Sequence, residues 1–195
     1  MKRISWLLII TFSLAVGRSA GVGSLAGGGE FRDLVLDSKV ADNLALLFAQ
    51  FDTELVLCLE GELRGPDLHI TDFRMPHILA SESGRVQASA CELRGNSVGT
   101  WHNHPAPPYK LSAAGSERLA RNCYLSRTDL ADFLRRDDAI VTVVSCAPDV
   151  YAYWKRDDVM TATSDAAMLL PPEGQLVHAE LMDGAAAGLT QARER

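Results

Sequence analysis

Two histidines, His102 and His104, stand two positions apart and directly before Pro105. In an extended strand the side chains alternate between faces, so residues i and i+2 point the same way. Both imidazoles are therefore expected to reach one point in space. Neutral imidazole is a preferred zinc ligand, and a catalytic zinc typically takes three protein ligands and one water. Two surface or capping histidines would show the same spacing, so the pair alone does not indicate a metal site. A third ligand and a general base nearby would indicate one.

The chain offers a carboxylate for each missing role. Asp129 lies in the first turn of a predicted helix, three residues after Ser126, and a carboxylate there can turn back toward a metal. Glu54 opens an apolar segment interpreted as a buried strand, where an acidic side chain is unexpected unless it has a function. Ser126 is close enough in sequence to Asp129 to donate a hydrogen bond beside the metal. Asp129 and Glu54 are therefore the candidates for third ligand and base.

The elements that must position these residues form a mixed pattern. Apolar residues recur at helical spacing from Phe31 to Phe51, and Asp37 or Ser38 suits the start of the main helix. Ser126 followed by Asp129 resembles the capping box of another helix. This order predicts a mixed α/β domain, of the α+β kind, with a central, mostly antiparallel sheet flanked by helices. The predicted strands are 54–60, 67–75, 97–101, 139–146 and 150–154, and a polar connection at 77–90 includes an edge strand around Val86.

The N-terminal segment, residues 1–29, is predicted to lie outside this domain. Lys2 and Arg3 precede an apolar run at 4–16, followed by small residues, as in a secretory signal peptide. The run is short for a membrane-spanning helix, which needs about 20 apolar residues. An uncleaved membrane anchor and an unused upstream start, which would leave the protein cytoplasmic, are the alternatives. Residues 21–29 are typical of a flexible, Gly-rich linker.

The domain itself is assigned to residues 30–160, and residues 161–195 are interpreted as a loosely attached, Ala-rich tail with a helical stretch at 176–189. The 195 residues suit one domain with a proper core. A formal net charge of -6 gives no electrostatic reason to expect a nucleic acid partner.

Four cysteines contain no Cys-x-x-Cys pair, so they do not resemble a structural zinc site. An exported protein can form one or two disulfides from them. Two of the four, Cys58 and Cys146, lie in strongly apolar runs, where buried free thiols are favoured. The other two are Cys91 and Cys123.

Together these residues resemble a known family. The series His102-x-His104-Pro105 and Ser126-x-x-Asp129, with a glutamate opening an upstream strand, is similar to the signature of JAMM (MPN+, JAB-type) zinc metalloproteases. The resemblance covers roughly residues 31–155. It implies the JAMM/MPN-like, cytidine-deaminase-like arrangement of a mixed central sheet flanked by helices. It also implies hydrolysis of a peptide or isopeptide bond.

The resemblance assigns a role to each residue. His102, His104 and Asp129 would bind one zinc ion per chain, with water as the fourth ligand. Glu54 would be the general base that takes a proton from this water and passes it to the leaving amine. Ser126 would stabilise the tetrahedral oxyanion.

One departure from the family concerns the loop that follows the histidines. Family members usually have a short loop here, which would put the serine at Ser112, but Gly115, three residues on, cannot ligate a metal. Residues 106–125 are therefore interpreted as an insertion beside the site that gates or selects substrate. The alternatives that stay open are Asp132, Asp137 and Asp138 as third ligand and Glu60 and Glu62 as base.

Three functions compete. An active zinc metallopeptidase, with a peptide or protein as substrate, is favoured because the full ligand set is present. A catalytically inactive binding or scaffold module would share the fold without turnover. A RadC-like, DNA-associated protein shares the His-Asn-His-Pro string, but the acidic charge and the export signal count against it. A ubiquitin-like substrate fits a cytosolic enzyme, whereas an exported one would meet peptides of the cell envelope or the exterior.

Overall fold

The computed structural model describes residues 30–82, 85–91, 96–104, 122–161 and 168–182. Within these ranges the helices are α1 (Ser38–Gln50), α2 (Arg127–Leu134) and α3 (Arg156–Thr161). The strands there are β1 (Leu34–Leu36), β2 (Val56–Arg64), β3 (Asp67–Arg74), β4 (Ile78–Glu82), β5 (Arg85–Ala88), β6 (Ser97–Asn103), β7 (Leu125–Ser126), β8 (Val141–Ala147), β9 (Val150–Lys155), β10 (Met168–Leu169) and β11 (Leu176–His178).

A seven-stranded mixed sheet, in the order β1-β3-β2-β6-β8-β9-β11, forms the centre of the fold. β1 pairs with β3 and β6 pairs with β8 in parallel, and the remaining neighbours are antiparallel. The predicted α+β domain with a mostly antiparallel central sheet is therefore confirmed. Val86 does lie in a strand, but β4 and β5 form a hairpin outside the central sheet.

The core has two layers, one on each face of the sheet. Along β8, Val141 and Val143 join the layer that α1 covers, whereas Val144 and Cys146 join the layer that α2 and α3 cover. This alternation is the two-residue period of a strand. Leu44 of α1 is fully buried in the first layer, and burying such a side chain contributes about 1.5–3 kcal/mol. Helices therefore pack on both faces.

The first helix starts later than the apolar spacing suggests. Residues 34–36 form β1 against β3, and α1 begins at Ser38 with Asp37 as its N-cap, one of the two predicted caps. The apolar run before the N-cap is short enough to fit the helical or the strand period, and pairing with β3 makes it a strand. The Asp37 side chain makes no capping hydrogen bond and lies 3.5 Å from Arg64 Nη1.

The β2–β3 hairpin is longer than predicted. The sequence predicts a break at Gly61, but β2 continues through it with a β-bulge between Glu60 and Gly61. Glycine is required there because a Cβ would collide with the carbonyl oxygen of His69. Gly65, with φ 65°, makes the turn between the two strands.

The described part of the C-terminal segment belongs to the sheet and is not a loosely attached tail. Leu176–His178 form β11 against β9, so the predicted helix at this position is wrong. The unpaired edge of β9 offers hydrogen-bonding groups that a short segment satisfies by adding a strand. Asp42 of α1 also accepts a hydrogen bond from the backbone N–H of Met182, at 2.9 Å. The rest of the predicted helix, 183–189, lies outside the described residues.

Two disulfides, Cys58–Cys91 and Cys123–Cys146, cross-link the fold. The prediction of free thiols at Cys58 and Cys146 is therefore wrong, although both side chains are buried as expected. Each strand cysteine lies on β2 or β8 and bonds to a cysteine in an irregular segment, and such a pairing leaves no pattern in the sequence.

No helix among the described residues is long and apolar enough to cross a membrane. The predicted signal peptide or anchor and its linker, residues 1–29, lie outside the described ranges. So does most of the predicted insertion, from residue 106 to residue 121.

Candidate metal centre

Strand β6 positions both histidines. His102 lies within β6, between Val56 of β2 and Val144 of β8, and His104 directly follows the strand. Their ring centroids are 5.0 Å apart, and both rings line one cleft. The prediction that they share a face is therefore confirmed.

Helix α2 brings a carboxylate to the same point. Ser126 is the N-cap: its Oγ accepts a hydrogen bond from Asp129 N–H at 3.3 Å, and its own N–H donates to Asp129 Oδ2 at 2.8 Å. The predicted capping box is confirmed, with aspartate in place of glutamate. It turns the carboxylate back, so that Oδ2 lies 3.7 Å from His102 Nε2.

The three side chains form a group that can hold a metal ion. One ligand atom from each of His102, His104 and Asp129 lies within 4.8 Å of the others. His102 Nε2 is buried and has no hydrogen-bond partner among the described residues. Because a buried polar atom without a partner is costly, this nitrogen fits a metal ligand.

The charge states of His102 and Asp129 also suit a metal. Burial lowers the pKa of His102 below its usual value and outweighs the attraction of Asp129, so the imidazole is neutral at neutral pH. Burial alone would raise the pKa of Asp129, but His102 and the hydrogen bonds with Ser126 lower it, so the carboxyl group is ionised. The 3.7 Å contact is therefore a neutral nitrogen beside a carboxylate, the forms in which both groups ligate metals.

The segment Asn122–Tyr124 orients His104. His104 Nδ1 donates a hydrogen bond to the backbone carbonyl of Asn122 at 2.8 Å, which leaves Nε2 for a ligand role. The Tyr124 ring packs against the imidazole, with centroids 4.6 Å apart. Burial lowers the pKa of His104, while the bond to Asn122 works against this shift. Cys123, between the two contacts, ties the segment to Cys146 of β8.

Glu54 faces the same cleft from just before β2. The sequence placed it at the strand's first position, but β2 begins two residues later. Burial, and then the charge of Asp129, raises the pKa of Glu54 to about 7. Its rivals are engaged elsewhere, because Glu60 accepts a hydrogen bond from Asn96 at 2.8 Å and Glu62 one from Arg64 at 2.8 Å.

The alternative third ligands do not join the histidines. Asp132 lines the cleft but pairs with Arg135. Asp137 lies 3.3 Å from Arg156, and Asp138 is exposed. Among the described residues, the group that can hold a metal contains Asp129 as its carboxylate.

Asn103 is a site residue that sequence reasoning missed. It lies between the two histidines and points to the opposite face of β6, where it is fully buried. Its Oδ1 accepts a hydrogen bond from Leu55 N–H at 2.6 Å, and its Nδ2 donates one to Thr53 O at 3.3 Å. These partners flank Glu54, so one side chain ties the histidine strand to the segment carrying the candidate base.

The cleft in which these groups meet has a volume of about 430 Å³. Its walls are β6 with the start of β2, helix α2, and the β4–β5 hairpin. No protein-family model and no curated protein sequence matches the chain.

Proposed function

We propose that this protein is a JAMM-type zinc metallopeptidase that hydrolyses a peptide or isopeptide bond. The observation that carries the proposal is the grouping of two neutral imidazoles and an ionised carboxylate around one point, with Glu54 in the same cleft. The mixed sheet with helices on both faces is compatible with the JAMM/MPN-like fold that the resemblance implies.

Zinc is the metal that this donor set favours. Two imidazole nitrogens and one carboxylate oxygen are three protein ligands of the types zinc accepts, and catalytic zinc sites keep the fourth position for water or substrate. When bound, zinc would lower the pKa of water and polarise the carbonyl of the substrate. Burial of His102 and the Asn122 bond to His104 keep the two ligands neutral and oriented.

Glu54 is the proton acceptor in this mechanism. In the metal-free protein, burial raises its pKa to about 7. It takes a proton from the attacking water and returns it to the leaving amine. A nearby metal charge lowers this pKa, since it favours the carboxylate form. A binding module without turnover has no need of such a base beside the ligands.

Ser126 stabilises the oxyanion. Its N–H is committed to Asp129 Oδ2, and its Oγ accepts from Asp129 N–H. The hydroxyl proton is therefore left to donate into the cleft that Ser126 lines. A preorganised donor of this kind stabilises the negative charge that develops on the substrate oxygen.

The two disulfides support an oxidising compartment. Together with the signal-like sequence at residues 1–20, they favour an exported or membrane-anchored enzyme. We therefore propose peptides outside the cytoplasm as its substrates.

The experiment is cleavage of a synthetic peptide library by the zinc-loaded protein, read by mass spectrometry, with Glu54→Gln as the matched variant. We expect the wild type to cut and Glu54→Gln to bind zinc without cutting. Equal cleavage by both proteins, or a fully zinc-loaded wild type that cuts nothing, would contradict the proposal.

A further inference from the structure

Arg136 is a half-buried cation in the wall of the cleft, just beyond the end of α2. Its Nη1 donates a hydrogen bond to Cys91 Sγ at 3.0 Å, which is a disulfide sulfur and a weak acceptor. Burial lowers the pKa of its guanidinium against the attraction of the exposed Asp138. Among the described residues, no carboxylate lies within ion-pair distance of Arg136.

The described carboxylates that line the cleft do not form an ion pair with Arg136. Asp129 belongs to the metal group, Glu54 lies beside it, and Asp132 pairs with Arg135. Arg85, an exposed residue of β5, adds a second positive charge on the hairpin wall of the same cleft. A charge withdrawn from water without a partner is costly, and a guanidinium fork pairs well with a carboxylate. The Arg136 donors that have no acceptor among the described residues therefore suit an anionic ligand.

The separation from the metal group sets where that anion lies. Asp129 and Arg136 are seven positions apart along and just past α2, which at helical rise is about 10 Å. An extended peptide covers about 3.3 Å per residue. A peptide with its scissile bond at the metal group would therefore bring its third residue or so beside Arg136.

We infer that the cleft takes a peptide carrying a carboxylate about three residues from the scissile bond, bound by Arg136, with Arg85 as a second positive charge in the same cleft. The inference rests on the proposed function, because it names the substrate class of the same site. The carboxylate belongs either to an Asp or Glu side chain or to the C-terminus of the peptide.

The test uses a mixed-sequence peptide library prepared in two forms, with free and with amidated C-termini. The zinc-loaded wild type is assayed for cleavage, and zinc-loaded Glu54→Gln is assayed for peptide retention, both by mass spectrometry. We expect acidic residues, or free C-termini, to be enriched about three residues from the cut and among the retained peptides. Enrichment in both library forms identifies a side-chain carboxylate, and enrichment that disappears on amidation identifies a terminal one.

Arginine variants then test whether Arg136 causes the preference for a carboxylate. We expect Arg136→Gln to lower the ratio of kcat/KM for a Glu peptide over its Gln analogue by at least about tenfold. Arg136→Lys should restore part of it. Arg64→Gln is the matched control, since Arg64 is an exposed arginine of β2 that does not line the cleft, and it should keep the ratio.

The outcomes separate the two proposals. Cleavage without enrichment of acidic groups, or a preference that survives in Arg136→Gln, overturns the inference and leaves the peptidase standing. Selective retention of carboxylate peptides without cleavage supports the inference and contradicts the peptidase. A protein that neither cleaves peptides nor selectively retains carboxylate peptides overturns both the inference and the proposed peptidase.

Discussion

Asn103 Oδ1 accepts a hydrogen bond from the backbone N–H of Leu55 over 2.6 Å. This bond joins β6 to the residue that follows Glu54. A second bond, from Asn103 Nδ2 to Thr53 O, joins β6 to the residue that precedes Glu54. This buried amide, together with the backbone bond from Asn103 N–H to Leu55 O, therefore positions Glu54, the proposed base, relative to the proposed metal ligands.

Asn103→Leu should separate the base from the ligands. Leucine has the same branched arrangement of side-chain heavy atoms as asparagine but makes neither side-chain bond. Glu54 should therefore shift while the histidines, on the other face, stay. Since misplacement by about 1 Å costs about 10²-fold, we expect kcat to fall by that order, with KM and zinc content near those of the wild type. Steady-state kinetics and elemental analysis measure this. Loss of zinc in parallel with kcat would mean that Asn103 supports the whole site, not the base.

The Cys123–Cys146 disulfide should matter for zinc affinity. It fixes the segment whose Asn122 carbonyl orients His104 and that leads into the Ser126–Asp129 capping box. Because partners that orient a ligand typically contribute 10–100-fold in metal affinity, we expect the Cys123→Ser/Cys146→Ser protein to bind zinc at least about tenfold more weakly. Competition with a chromophoric chelator gives the constants.

The second disulfide provides the matched control for that experiment. Cys58→Ser/Cys91→Ser removes a cross-link between β2 and the segment after β5, which includes none of the groups that make the hydrogen bonds orienting His104 and Asp129. We expect its zinc affinity to stay near the wild-type value. Equal weakening in both double variants would show that loss of a cross-link, wherever it lies, loosens the site.

Glu54 should make the metal-free protein less stable as pH rises. Its folded pKa is raised to about 7 from an ordinary 4.5. The contribution of the protonated group to stability is therefore present at low pH and is lost between about pH 4.5 and 7. We expect Glu54→Gln to raise the Tm of the metal-free protein more at pH 8 than at pH 5. An increment that does not change with pH would contradict the raised pKa.

Ser126 is expected to have two separable roles. Ser126→Ala removes an N-cap, which costs about 1 kcal/mol, and removes the proposed oxyanion donor, which typically costs about 10²–10³ in kcat. Ser126→Thr keeps both the cap and the hydroxyl and should restore most of each. Denaturant unfolding and kcat measure the two effects. A kcat unchanged in Ser126→Ala would exclude the hydroxyl from catalysis.

Local patterns in the sequence predict how the three candidate metal ligands come together. The i, i+2 spacing places His102 and His104 on one face, and the Ser126–Asp129 spacing predicts the capping box that turns the carboxylate inward. Each of these depends on a few neighbouring residues, so backbone geometry alone is sufficient. The strand containing Glu54 was predicted two residues too early because its apolar run does not mark where pairing with β6 begins.

Contacts between distant segments could not be predicted. The hydrogen-bond partners of Asn103 lie about 50 positions away along the chain, and an asparagine between two histidines does not indicate which residues they are. Pairing of the four cysteines depends on how the segment after β5 folds back on β2. The strand Leu176–His178 exists because β9 has an open edge, whereas the surrounding alanines favour a helix by local propensity. In each case the deciding energy comes from a distant partner.

The most direct test is the zinc content of the purified, zinc-loaded protein and of four variants, by elemental analysis. The proposal predicts about one zinc per chain in the wild type, loss of zinc in His104→Ala and Asp129→Ala, and retention in Glu54→Gln and Asp132→Ala. The last variant is the control for an acidic residue that lines the cleft outside the ligand group. A wild type without zinc after loading, or zinc retained in Asp129→Ala, would contradict the proposed metal centre.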